Sequence, residues 1–151
     1  MIDVREDILA RLVVLAGGLP NMNLADRNNS DISEDQLPAG IVFDGDEETD
    51  DASDASMRPP NRPTIVRMQP VVEIAAMSAL AGSDLSVLRR ELIKAVLYDP
   101  EFNETIVKTG RNGNGAIRYL GCQTDPTWMR TLYGQMRVQF LFRYVLNPAD
   151  L

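Results

Sequence analysis

The side chains that could do chemistry in this sequence are few, and their spacing suits little of it. Seven carboxylates, Asp44, Asp46, Glu47, Glu48, Asp50, Asp51 and Asp54, lie between Asp44 and Ser56 with no basic residue among them. Carboxylates at alternating spacing can ligate calcium, but an EF-hand-like loop needs a glycine at its sixth position and a glutamate at its twelfth. Counted from Asp44, those positions hold Thr49 and Ala55. No metal site is expected, and the segment reads as a solvated, flexible acidic hairpin tip. Gly110, Gly113 and Gly115 resemble a phosphate cradle in composition. Such cradles run from a strand into a helix N-terminus, whereas these glycines enter a strand and no lysine–hydroxyl pair follows, so a turn is expected. The chain has no histidine, so a Ser or Cys nucleophile would need a lysine base, and only Lys94 and Lys108 exist. Cys122 is the one cysteine. It can form neither an internal disulfide nor a zinc site and is expected as a small buried apolar residue. No carboxylate pair is singled out. No catalytic residue and no cofactor follow from these patterns, and the chain is not expected to be an enzyme.

Composition sets what must position these residues. At 151 residues the chain is long enough for one domain, 1–151, with a core of its own. Hydrophobic residues make up 44% and charged residues 25%, inside the ordinary globular range. The longest apolar stretches, Leu12 to Ala16 and Val71 to Met77 with Glu73 inside it, fall far short of the ~20 residues that span a bilayer. The acidic, amphipathic start, Met1 to Asp7, does not read as a secretory signal, so synthesis into the cytoplasm is expected. The net charge of −7 is local in origin: without the seven carboxylates of the acidic segment, 15 acids face 15 bases. An acidic balance opposes binding of duplex DNA through its phosphates, though not DNA passing nearby.

Periodicity gives the elements. Asp3 and Glu6 stand at capping-box spacing ahead of Ile8, Leu9, Leu12, Val13, Leu15 and Ala16, which predicts a helix ended by Gly17-Gly18. Pro20 to Pro38 reads as an irregular connection. Leu37 to Phe43 carries a strand, and the acidic and proline-rich stretch 44–62 follows as a mobile loop that lacks the apolar residues to fold by itself. Thr64 to Met77 alternates as a half-buried strand in which Pro70 suggests a sheet edge or a bulge. Leu85, Leu88, Leu92 and Val96 form the stripe of a second helix from Asp84 to about Tyr98, stopped at Asp99-Pro100. Glu101 to Thr109 suits a short helical turn, and Ala116 to Cys122 a strand. The most regular pattern comes last: Leu132, Met136, Val138, Phe140, Phe142, Tyr144 and Leu146 alternate with Tyr133, Gln135, Arg137, Gln139 and Arg143. This predicts a long strand with one apolar side. The face bearing Gln135, Arg137, Gln139 and Arg143 is either the solvent side of a two-faced sheet or a subunit interface. The expected class is α+β: a single antiparallel sheet with helices packed on one face, a long C-terminal strand and an extended acidic loop.

The order of an amphipathic N-terminal helix, Arg27-Asn28-Asn29, the run Leu37 to Glu47, a proline-flanked strand, a helix, Ile117 to Cys122, and a final strand from Gly134-Gln135-Met136 to Tyr144-Val145-Leu146-Asn147-Pro148 resembles bacteriophage tail terminator proteins along nearly the whole chain. The resemblance implies a non-catalytic virion protein assembled in the host cytoplasm. It would form a ring, typically hexameric, at the head-proximal end of the tail tube, end tube polymerisation and join the tail to the neck. The implied partners are other copies of the chain, the tail tube protein, a neck, connector or head-completion protein, and a sheath protein where the tail is contractile; DNA would be passing cargo and no membrane is involved. Arg27, Asn28 and Asn29 join the odd-numbered face of the last strand as candidate contacts, and the acidic loop would line the lumen or face solvent. The competing readings are a monomeric head–tail adaptor or tail assembly factor and, third, an enzyme of unknown type.

Overall fold

The strict alternation of the last strand sets the architecture. The structure, a computed structural model, describes residues 3–49, 61–77, 81–107, 115–124 and 133–151. Helix α1 (Val4–Gly17) is capped by Asp3, whose carboxylate accepts the Glu6 N–H at 3.3 Å. It is followed by β1 (Leu24–Arg27), β2 (Ala39–Phe43), β3 (Glu47–Thr49), β4 (Thr64–Met68), β5 (Val71–Met77), α2 (Ala81–Leu97), a helical turn α3 (Pro100–Phe102) that runs on through Asn103–Val107, β6 (Ala116–Thr124) and β7 (Tyr133–Leu146). All seven strands join one sheet, and the fold is α+β.

The even-numbered residues of β7, Met136, Val138, Phe140, Phe142 and Tyr144, are buried in one cluster with Ile8, Leu9, Leu12 and Ala16 of α1 and Leu85, Leu88, Leu92 and Val96 of α2. Both helices therefore lie on the same face of the sheet. Burial of apolar side chains at ~25 cal/mol per Å² of area removed from water supplies the main driving force, and each fully buried Leu, Ile or Phe contributes roughly 1.5–3 kcal/mol. Phe102 extends this core by meeting Phe142 edge-on, with ring centroids 5.1 Å apart.

Strand pairing explains how short segments build a large sheet. β4 and β5 keep one register against β7, from Thr64 opposite Leu146 to Met77 opposite Tyr133, and act as a single long strand interrupted at Gln69-Pro70. On its other side, β5 pairs antiparallel with β2 and β4 with β3. Residues 39–49 and 64–77 are thus the two legs of one long hairpin whose tip lies outside the described residues. Three residues, Asp44 to Asp46, oppose two, Gln69 and Pro70, so the first leg carries a bulge. Gly45 sits there at φ +70°, and the Gln69 N–H donates to the Asp46 carbonyl at 3.0 Å.

Three expectations are corrected and one pair of alternatives is decided. The sheet is mixed rather than purely antiparallel, because β1 pairs parallel with β2 inside a stretch that reads as irregular. Of the edge or bulge suggested by Pro70, the structure shows the bulge: β5 lies between β2 and β7, and the missing N–H falls where the facing leg bulges. The first part of the segment 44–62 is built into the fold, since Glu47–Thr49 forms β3; cross-strand pairing with β4 imposes that strand on residues with no apolar alternation. Cys122 is exposed, not buried, because β6 is an edge strand whose residues from Cys122 to Thr124 are all exposed. Asp50, Asp51, Asp54 and the glycine-rich turn at Gly110 and Gly113 lie outside the described residues.

Candidate functional site

The face of the sheet turned away from the helices is built from the odd-numbered residues of β7 and their cross-strand partners. Gln135 opposes Ala75; Arg137 opposes Glu73 on one side and Gln123 on the other; Gln139 opposes Val71 and Gly121. Leu141 opposes Arg118, and Arg143 opposes Arg67 and Ala116. Near β1 the connection before β2 folds over this face, where Leu37 packs with Ala39 and Ala75 against the partly buried Leu24 and Ile32. Among the described residues no helix covers the remainder. Strands β6 and β7 carry three arginines, Arg118, Arg137 and Arg143, and no acid. Half-buried Leu141 and Val145 of β7 share this face, Leu141 opposite Arg118 and Val145 opposite the half-buried Ile65.

Two acids enter this face from other strands. Arg137 donates to Glu73 at 3.2 Å; the arginine side chain is 63% exposed and the glutamate side chain 10%. Arg67 reaches Glu48 of β3 at 3.4 Å, which offsets part of the repulsion expected between Arg67 and Arg143 directly opposite it. The expected interface residues Gln135, Arg137, Gln139 and Arg143 are therefore brought together, in one row along β7.

Arg27, Asn28 and Asn29 are placed elsewhere and have internal tasks. The Arg27 guanidinium grips two carboxylates with forked bonds: Asp44 at 2.7 and 2.8 Å, and Glu6 at 2.7 and 2.9 Å. Asn28, at φ 54°, donates to Asp44 at 3.0 Å and accepts its N–H at 3.3 Å, while Asn29 donates to Asp26 at 3.1 Å. Arg5 stands 3.8 Å from Asp44. The result is a clamp that ties the end of β1 and the start of α1 to the root of the hairpin bulge. Asp44 belongs to this clamp rather than to a solvated tip. Asp46 and Glu48 are exposed, and Glu47 accepts a hydrogen bond from the Tyr144 hydroxyl. Burial, with Glu47 as acceptor, pushes that hydroxyl well above the ordinary phenol range.

A second clamp closes the far end of the helix layer. Asp99 accepts from Arg11 at 2.7 and 3.0 Å and from the Phe102 N–H at 3.1 Å, linking α1 to α3. A shallow groove of about 580 Å³ runs beside it, lined by Glu91, Lys94, Ala95, Tyr98, Asp99 and Pro100. Among the described residues no group of three His, Cys, Asp or Glu side chains could hold a metal ion, and no helix is long and apolar enough to cross a membrane. No family model matches this chain, and no curated protein is detectably similar to it.

Both clamps give stability a pH dependence of known sign. The Arg27 guanidinium holds Asp44 and Glu6 below the usual carboxylate range, and Arg11, with the Phe102 N–H, does the same for Asp99. Their contribution is fully present above the unfolded carboxyl pKa of about 4 and is lost as pH falls through the lower folded values. Thermal unfolding followed from neutral pH into acid should show a midpoint that drops below about pH 4, with a shallower drop in Arg27→Met. An identical acid limb in that variant would show that the clamp adds nothing to stability.

Proposed function

We propose that this chain is a ring subunit of a virion, a tail-terminator-like protein that closes the head-proximal end of a phage tail tube and joins it to the neck. One observation carries the reading most: β7 runs for 14 residues with its even side chains sealed under two helices, while its odd side presents Gln135, Arg137, Gln139, Leu141 and Arg143. A subunit that closes a ring needs two different, mutually complementary patches, because a heterologous contact is the kind that propagates around an axis. Interfaces favour arginine set among apolar residues, the pattern found here. The residue order, which resembles that of tail terminator proteins, supports the same reading.

Electron microscopy of the particle containing this protein should show it in a ring, with six copies expected. Light scattering with purified tube protein should show a multimer that neither protein makes alone. A single copy in the particle, or no rotational symmetry at its position, would reject the ring and favour the monomeric adaptor.

A further inference from the structure

One row of residues crosses the whole sheet on the open face: Asp26 opposes Ile41, Ile41 opposes Glu73, Glu73 opposes Arg137, and Arg137 opposes Gln123. Its ends stand on the outer strands β1 and β6, and both end residues are exposed. Among the described residues neither strand has a neighbour on its outer side, so each presents unpaired backbone N–H and C=O groups. β6 is little protected as an edge, since its nine residues hold no proline and a single charge, Arg118. The bulge at Leu120 interrupts it, and Gly121 to Thr124 keep one register beyond. Charge separates the two edges. Between β1 and β2, the connection that folds over the open face carries exposed Asp31, Glu34 and Asp35 and no base. Toward β6, the same face carries exposed Arg118 and Arg137.

Resting on the ring reading, we propose that these two edges join between copies: Gly121–Thr124 of β6 in one copy pairs antiparallel with Leu24–Arg27 of β1 in the next. The occupant is a second copy because the chain itself holds the matching edge in the required sense. β1 and β6 run in opposite directions within the sheet. Rotation about an axis along the strands preserves each direction, so the new ladder is antiparallel and the helix layer stays on one side. No slip is needed either: Gln123 and Asp26 stand in one row, so the Gln123 amide meets the neighbour's Asp26 carboxylate. The neighbour's acidic connection then comes beside Arg118 and Arg137, and charge complementarity of this kind fixes register more than it adds raw affinity. The two edges are different surfaces, so the contact is heterologous and repeats around a ring. Association should weaken with added salt, since rim charges are screened over about 8 Å at physiological ionic strength.

Paired cysteines in the full chain test this: Asp26→Cys with Gln123→Cys, in a Cys122→Ser background. Within one chain the two positions are four strand spacings apart, ~19 Å at ~4.8 Å each. A disulfide needs Cα atoms within about 7 Å, so oxidation can join them only between copies. Oxidised with and without tube protein, the ring should yield a ladder of covalent multimers on a denaturing gel, ending at its copy number, while either cysteine alone should leave monomers. Charge reversal gives a second readout. Arg118→Glu with Gln123→Glu, or Asp31→Lys with Glu34→Lys and Asp35→Lys, should each weaken self-association in light scattering by ~10-fold or more, and one chain carrying both sets should recover it. Thermal unfolding verifies that every variant is folded. A ring whose paired cysteines stay unlinked rejects the contact while the ring stands, and amide exchange along β6 that slows only once tube protein is added would then give the edge to the tube protein. Charge variants that assemble as well as wild type, or that the combined chain does not rescue, also reject the contact. A wild-type chain that stays monomeric at every concentration, with and without tube protein, rejects the ring itself and this contact with it.

Discussion

Gly45→Ala should lower the unfolding free energy by roughly 2–4 kcal/mol, while Gly121→Ala should cost about 1–2 kcal/mol. Both glycines have positive φ, +70° and +139°, so an alanine at either is strained by its backbone alone. What separates them is space. A Cβ on Gly45 would lie 2.0 Å from the Gln69 carbonyl oxygen and 2.6 Å from its carbon, both backbone atoms of the facing leg, whereas a Cβ on Gly121 meets nothing within 4 Å. Relief at Gly45 requires the two legs to part where the Gln69 N–H reaches Asp46 and where Asp44 enters the Arg27 clamp. Chemical denaturation of both variants checks the contrast. Equal losses would mean that only the dihedral matters and that the legs yield freely at the bulge.

The core of this fold was legible because it depends on periodicity. The stripe Leu85, Leu88, Leu92, Val96 and the even-numbered run of β7 bury where 3.6- and 2-residue spacing puts them. The Asp3 cap of α1 likewise follows from residues three positions apart. What periodicity cannot carry is pairing that a neighbour imposes. β1 is four residues, Leu-Ala-Asp-Arg, and β3 is Glu-Glu-Thr; neither alternates apolar with polar, and each is a strand only because β2 and β4 offer an edge. The bulge had a local signal, the Asp44-Gly45-Asp46 turn composition, but its meaning depends on Pro70 lying opposite, 25 positions on.

The candidate site was legible by half. Alternation placed Gln135, Arg137, Gln139 and Arg143 on one face, yet it could not show that Glu73 and Glu48 reach that face from other strands, or that Arg118 joins it. Arg27 shows a commitment of a different kind. The resemblance made it a candidate contact, but two carboxylates distant in sequence, Glu6 and Asp44, take four of its five N–H donors. Such commitments depend on tertiary geometry, and no local pattern encodes them.

Phe140→Ala should be the most damaging single change in the helix-facing layer, lowering stability by ~3–5 kcal/mol, the range for removing a buried aromatic ring. For a chain of this length that corresponds to a fall in Tm of roughly 6–20 °C. Phe140 is fully buried in the middle of β7, flanked by Val138 and Phe142, and its backbone N–H donates to the Pro70 carbonyl at 3.2 Å where the long leg is interrupted. Its ring lies 6.1 Å from that of Tyr119, which in turn carries Arg89 of α2 at 5.8 Å over its face and accepts the Arg89 Nε–H at 3.3 Å. Truncation therefore leaves a cavity between helix and sheet and loosens the support of the edge strand β6. On the opposite face the expectation divides. Gln139→Ala should change monomer stability by less than ~0.5 kcal/mol, as solvent-facing substitutions do. Arg137→Ala should cost about 1 kcal/mol, because it leaves the nearly buried Glu73 carboxylate without its guanidinium. Under the proposed ring function, unfolding free energies of the three variants, measured beside the yield of joined particles, separate folding from assembly. Phe140→Ala should lose both together, whereas Arg137→Ala should lose joined particles out of proportion to its small folding defect. Normal joining by Arg137→Ala would mark the odd face of β7 as plain solvent-facing sheet.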